Sequence, residues 1–389
     1  MAGPGGLCVD DEEMPEMKMI VLGGAGDMGS RAVEDLAETP GVESVTIADI
    51  NMDAAHALAA RVKDKGAKID VKGVDANNHA NVVQAIKGYD VAASALGPFH
   101  RFEKKLVTAA IDAGVDYCSV CDEWDAAEAV FNDCSQAAKD AGRIILTGLG
   151  ASPGVTSIAF GYLAARMDEV ERCNVYVYQP LDAGGGMAVY KHMLHIISGE
   201  IAVWRDGKKT MIPALSEETS CVFPEYGRIT VWNMGHAEPM TIPKFYPNIK
   251  EVNFYMGFGT GSNAFIKPAR LGLFKTPSRV DRFAKLMAFA EKFTHKDEPA
   301  WGSIRVDVFG KKDGEAVHKI GCGTGQMRNI TGLSLSVGAL MLAKKELKTT
   351  EPGIYSPEGL VKPESFIREF SGKDLFMYED VAMAHPVKP

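Results

Sequence analysis

Through roughly its first 150 residues the chain alternates short, almost unbroken apolar runs with stretches whose apolar residues recur every three or four positions. The unbroken runs predict strands covered on both faces, the longer period predicts the helices that cover them, and their alternation predicts a parallel sheet wound on both sides. The strands fall at Met19–Leu22, in SVTIADI with its acid at Asp49, in KIDVKGVDA ending near Asp75, at Asp90–Phe99, in DYCSV from Asp116 and at Arg143–Gly148. Helices are expected after the first glycine loop, where Ala32, Val33 and Leu36 form a buried stripe, and then at Asp53–Lys63, in NVVQAIKG, at Lys105–Ala113 and at Ala126–Ala141. A sheet of about six strands results.

The pattern changes past Gly148. GLGASPGVTSIAFGYLAARM reads as a glycine and proline loop opening a helix near Thr156. From Glu171 onward NVYVYQP, GRITVWNM, EVNFYMGF and SIRVDVFG read as strands with few helices between them, which predicts an antiparallel sheet in a second domain, of a kind that suits an oligomer interface. The apolar segment Thr331–Leu347 predicts a helix that packs back on the first domain. The expected organisation is a dinucleotide-binding domain over 17–150, a substrate and oligomerisation domain over 151–323, and a C-terminal helical segment over 324–389 that returns to the first.

The first strand runs into Gly24, Gly26 and Gly29 at G-x-G-x-x-G spacing. In a dinucleotide fold the first glycine makes the tight turn, the second lets backbone approach a pyrophosphate, and the third lets the helix pack on the sheet with its positive dipole end toward the anion. Gly24, Ala25, Gly26, Asp27, Met28 and Gly29 are therefore candidate cofactor contacts. Asp49 lies 20 residues after Gly29 at the tip of the second strand. An acid there accepts from the adenosine ribose and repels a 2′-phosphate, which favours NAD. Asp75 at the next strand tip, and Leu96, Gly97 and Pro98 where the fourth strand breaks, complete the set.

Composition narrows the class. A net charge of −9 and a 46% hydrophobic content describe a globular enzyme rather than a protein for nucleic acid or anionic membrane. The first 16 residues carry five acids and no base, unlike a targeting peptide, and the seven irregularly spaced cysteines fit reduced thiols. The expected setting is the cytoplasm.

Candidate chemistry sits at the carboxyl edge of the sheet. Cys121-Asp122-Glu123-Trp124-Asp125 follows the fifth strand, so Asp122 is a candidate proton carrier and Glu123 a candidate substrate contact, against helix capping as the plainer role. His236, with Glu238 beside it in GHAEPMTIP, is the second candidate proton carrier. Phe99, Tyr190, Lys191, Glu238 and Arg228 are candidate substrate contacts, and Arg228 with Arg305 would be a pair suited to carboxylates. His192 and His195 share one expected helix but have no evident third ligand, and Cys118 and Cys121 have no matching second pair, so no metal is expected. Tyr246 and Lys250 have Y-x-x-x-K spacing, yet Pro243 and Pro247 preclude the helix that would align them.

VLGGAGDMG, the ADI strand end, AGVDYCSVCDEWDAA, ILTGLGASPGVTSI, DGKKTMIPALSE, GHAEPMTIP and YSPEGL together resemble the saccharopine dehydrogenase-like family, and within it lysine 6-dehydrogenases. The resemblance implies an α/β fold: a doubly wound parallel-sheet dinucleotide-binding domain with an inserted mixed α/β substrate and dimerisation domain, in a homodimer. It implies hydride transfer between nicotinamide and a carbon bearing nitrogen in an amino acid or amine, with an imine as the oxidised species. A saccharopine- or opine-type reductase joining an amine to an oxo acid is the alternative, and an NAD-responsive binding protein the alternative of another class. The segments at Gly184–Gly186, Ile242–Lys244 and after Tyr255 depart from the lysine-enzyme pattern.

Overall fold

The computed structural model describes residues 16–180, 186–259, 263–274, 276–294 and 301–388. Its first half alternates β1 (Met17–Leu22), α1 (Asp27–Glu38), β2 (Val42–Asp49), α2 (Met52–Val62), β3 (Lys68–Gly73), α3 (His79–Ile86), β4 (Val91–Ser94), α4 (Phe99–Ala113), β5 (Asp116–Ser119), α5 (Trp124–Asp140) and β6 (Ile144–Thr147). Every pairing in this sheet is parallel, because each crossover helix returns the chain to the same edge. Both faces are covered. Met19 and Val21 of β1 join one core with Val33 and Leu36, whereas Ile20 and Leu22 join the other with Leu106, Tyr117 and Phe131.

The chain then continues through α6 (Val155–Ala164), β7 (Glu169–Tyr178), α7 (Gly186–Ile196), β8 (Glu200–Arg205), β9 (Lys208–Pro213), β10 (Glu218–Phe223), β11 (Gly227–Asn233), α8 (Glu238–Phe245), β12 (Glu251–Gly257), α9 (Asn263–Arg270), α10 (Pro277–Thr294), β13 (Trp301–Lys312) and β14 (Glu315–Gln326). These strands form a second sheet in the order β10-β11-β12-β7-β13-β14, with β8 against β12 and β9 against β8. It is mixed rather than antiparallel, since β12 runs parallel to β7 after a long excursion through α7, the two hairpins β8–β9 and β10–β11, and α8. The expected antiparallel sheet is thereby corrected: strand alternation carries no information on direction.

Last come α11 (Met327–Ala343), β15 (Gly353–Tyr355), α12 (Pro357–Leu360) and α13 (Pro363–Ser371). α11 lies along α1: Ser336 Oγ donates to Asp35 at 2.7 Å, and Arg328 pairs with Glu34 at 3.1 Å. It ends earlier than Leu347 because Lys345 takes a left-handed φ of 57°. β15 pairs in parallel with β6, so the first sheet has the order β15-β6-β5-β4-β1-β2-β3, seven strands where the sequence predicts about six. A three-residue strand leaves no periodicity to read.

Leu335 is fully buried in the core that α11 shares with β1 and β4. Leu335→Ala should cost about 2–5 kcal/mol, the usual range for emptying such a position. Chemical denaturation followed by far-UV circular dichroism checks this, and an unchanged midpoint would contradict the docking of α11.

Candidate functional site at the carboxyl edge of the parallel sheet

The chain turns out of β1 at Gly23, whose φ is +70°. The turn residue is therefore Gly23 and not Gly24 as motif spacing suggests, because only here does the backbone enter the left-handed region. A Cβ on Gly23 would stand 3.1 Å from Leu96 Cα, so this turn touches the Leu96–Pro98 loop after β4. At Gly29 a Cβ would fall 2.2 Å from the Gly23 carbonyl oxygen, so α1 abuts the turn as the motif requires. Gly26 caps α1 without any side-chain hydrogen bond, which leaves the first N–H groups directed to the crevice. Asp49 ends β2 and accepts from Ala25 N–H at 3.1 Å and Asn51 N–H at 2.9 Å. This cradle fits a dinucleotide, with Ala25–Gly29 at the pyrophosphate and Asp49 at the ribose. Asp75 lies exposed beyond β3, where its carboxylate takes the N–H of Asn77.

The acid row stands at the end of β5. Glu123 has a side chain with 0% exposure, and its Oε2 accepts from the backbone N–H of His100 at 2.5 Å and lies 2.6 Å from His100 Nδ1. Its Oε1 is 3.4 Å from His192 Nδ1, and the other nitrogen of that ring is 3.3 Å from Asp122 Oδ2. His195 Nε2 is 3.2 Å from Asp125 Oδ2, and the His195 ring stacks on His100 with centroids 4.6 Å apart. His192 and His195 share a face of α7 through their i, i+3 spacing, so an element of the second domain closes over three acids of the first.

His236 arrives on the loop between β11 and α8. A Cβ on Gly235 would lie 2.9 Å from both Trp124 Cδ1 and Ile201 Cγ2, so bare backbone is what lets this loop press against the indole that starts α5. His236, His192 and Asp122 then bring ligand atoms within 4.8 Å of one another. The His236 ring stacks on Phe254 at 3.8 Å and 5°, and its Nδ1 is 2.5 Å from Glu238 Oε2. Glu238 is fully buried, and its Oε1 accepts from Ser152 Oγ at 2.5 Å and Thr156 Oγ1 at 2.9 Å.

These contacts set the charges. Burial alone would raise the Glu123 carboxyl, but hydrogen bonds and attraction from His100 and His192 hold it well below the carboxylate range. Burial works against a charged His192 as well, yet Asp122 and Glu123 outweigh it and push its pKa up to about 9. Asp122 is the exception: burial raises its pKa despite the opposing pull of His192 and His236. Glu238 is held low, with burial offset by His236 and by the hydroxyl of Ser152. Asp122 Oδ1 is buried and accepts no hydrogen bond from the described residues.

The structure thus gathers Asp122, Glu123 and His236 beside the Leu96–Pro98 loop region, and adds His100, His192, His195 and Asp125. His100 directly follows the Gly97-Pro98-Phe99 break, so the strand-edge rule that flagged that loop had the signal for it. Other expectations are corrected. Lys191 turns to α10 and pairs with Asp281 at 2.7 Å. Arg228 is exposed on the β10–β11 hairpin and donates to Ser220 Oγ. Arg305 is already held by Asp307 through two hydrogen bonds, so no arginine pair faces the site. The remaining candidates, Glu238, Tyr190 and Phe99, are not overturned; all three are buried. Gly184 and Gly185 lie outside the described residues. His192 and His195 do find third donors, in the groups His100–Glu123–His195 and Asp122–His192–His236. Within these groups imidazoles meet carboxylates, His100 Nδ1 at 2.6 Å from Glu123 and His192 Nε2 at 3.3 Å from Asp122.

Residues 19–146 match the family described as saccharopine dehydrogenase NADP binding domain. The chain is 24% identical to the carboxyaminopropylagmatine dehydrogenase of Synechocystis sp., with 94% of this chain and 98% of the relative covered. It is 27% identical to the carboxynorspermidine synthase of Vibrio cholerae over 51% of each chain. Among solved structures, the saccharopine dehydrogenase (L-Glu forming) of Saccharomyces cerevisiae superposes with a TM-score of 0.69 over 94% of this chain and 99% of that one, at 13% identity, a likeness of fold.

With His192 raised from 6.5 to about 9, its contribution to stability is whole below pH 6.5 and is lost as pH rises through 9. His192→Gln removes that dependence. The melting temperature of the wild type should therefore fall more steeply than that of the variant between pH 6.5 and 9, and parallel curves would contradict the assignment.

Proposed function

We propose that this chain is an oxidoreductase of the saccharopine dehydrogenase-like family, to whose dinucleotide-binding domain and to one of whose relatives it is similar, and that it forms or breaks the C–N bond of a carboxylated, multiply cationic amine with a nicotinamide dinucleotide. The observation that carries this reading is Asp122 Oδ1, a buried acceptor without a donor among the described residues, on a carboxylate whose Oδ2 lies 3.3 Å from His192 and which groups with His236 at the sheet edge. A buried oxygen in want of an N–H is what an amine supplies. Asp122, Glu123 and Asp125 line one turn, so a substrate with several ammonium groups meets several acids, while the imidazolium of His192 suits its carboxylate. The names of the two curated relatives both denote a carboxy-substituted polyamine.

The dinucleotide, when bound, takes or gives the hydride. The chain's own residues do the rest. A protonated amine cannot release hydride, so a base must first remove one N–H proton, and His236 Nε2 or Asp122 Oδ1 stands ready to hold it. The β4 loop and α7 close the site on either side and exclude water. The lysine 6-dehydrogenase reading, oxidation of a free amino acid without a carbonyl partner, needs only one ammonium site and leaves the remaining acids unexplained.

We further propose NAD as the preferred cofactor. Asp49 would stand against a 2′-phosphate, and Ile50, Asn51, Met52 and Asp53 after it offer no cation.

Oxidation of NADH and of NADPH, measured with putrescine, agmatine or lysine in the presence of an amino-aldehyde or oxo acid, tests the reaction. Turnover that needs both amine and carbonyl partner is expected, and NAD reduction by lysine alone would return the other reading. In the same assay Asp122→Asn should lower turnover by about 10²–10⁴ with dinucleotide affinity unchanged. Asp49→Ser should weaken NADH binding and improve use of NADPH, and a wild type that prefers NADPH would overturn the cofactor assignment.

A further inference from the structure

The loop that crosses between the domains does more than connect them. Glu238 lies at the start of α8 with no exposed surface, and both of its oxygens are spoken for: Oε1 by the hydroxyls of Ser152 and Thr156, Oε2 by His236 Nδ1. Ser152 sits in the crossover loop after β6 and Thr156 in the first turn of α6. The two hydroxyls donate to Oε1, which leaves Oε2 as the acceptor turned to the imidazole. A carboxylate held ionised in that position fixes the proton of His236 on Nδ1, and the stack on Phe254 fixes the plane of the ring. Nε2 is then the unprotonated nitrogen, on a ring that brings a ligand atom within 4.8 Å of Asp122 and His192.

From this geometry we infer that Glu238 is a positioning residue: clamped by Ser152 and Thr156, it sets the tautomer and aim of His236 so that Nε2 receives the proton of the substrate amine. It does not touch substrate. In the oxidative direction the N–H bond of the ammonium breaks, its proton passes to Nε2, and the electron pair stays on nitrogen as the neutral amine. Glu238 remains a carboxylate throughout and stabilises the imidazolium that forms, the part played by the acid in a catalytic triad. In the reductive direction the same proton returns to the amine product. The inference rests on the C–N reading for the identity of the substrate, but the tautomer it demands is a property of the free protein.

The test uses Glu238→Gln and Glu238→Asp in the full chain. Nitrogen-15 NMR of labelled histidine should show His236 as the Nδ1–H form in the wild type, and as a mixture or the other tautomer in Glu238→Gln. Turnover of Glu238→Gln should fall about 10²–10⁴-fold with dinucleotide affinity kept, the acidic limb of its pH profile should shift, and Glu238→Asp should recover part of the loss. An Nε2–H wild type overturns the inference outright. So does a folded Glu238→Gln protein whose turnover and pH profile match the wild type. If no amine and carbonyl pair is turned over, the C–N reading fails while the NMR arm still decides the role of Glu238.

Discussion

Glu123 carries its charge with no exposed surface, and the cleft is arranged around answering it. A lone buried carboxylate costs several kcal/mol, so a chain that places one there must supply hydrogen-bond donors or lose the ionised form. One partner, His100, comes from the neighbouring loop of the same sheet, and the other, His192, comes from the second domain. Each histidine then serves another group: His100 stacks on His195, and His192 reaches Asp122. The relative placement of the two domains is thereby written into electrostatics as well as into the shared apolar core. A cationic substrate of the proposed kind would compete with these imidazoles for the same acids.

The dinucleotide half of the site was legible in the sequence because its parts are local. A strand, a glycine run, an amphipathic helix and an acid at the next strand tip all lie within Met17–Asp49. What misled was the assignment of turn to Gly24, since motif spacing counts glycines but does not reveal which one has positive φ. The acid row was placed correctly at the edge of the sheet for the same local reason.

The substrate half was only partly readable. Asp122, Glu123 and His236 could be named from strand-edge rules and residue chemistry, but their partners lie on α4, α7 and the crossover loop, far apart in sequence. His192 was seen and set aside for want of a third group, which the fold supplies from β5. Lys191 and Arg228 carried the right chemistry on the wrong face, because a helix or hairpin shows its period in sequence without showing which side meets the crevice. Glu238 was named beside His236, but its other partners, the hydroxyls of Ser152 and Thr156, lie more than 80 residues earlier in the chain.

The first sheet is closed by β15, about 200 residues after β6, the strand it pairs with, and one of its faces is covered by α11. A nascent chain therefore cannot complete its dinucleotide domain when that domain's own strands have been made. Until α11 and β15 emerge, β6 presents an unpaired edge and the sheet an uncovered apolar face, the two features through which β-sheets join the wrong partners. Synthesis of the second domain occupies that interval. This order of events makes the domain that looks most self-contained in the sequence the last to be finished on the ribosome, and makes its loops depend on segments that have yet to be translated.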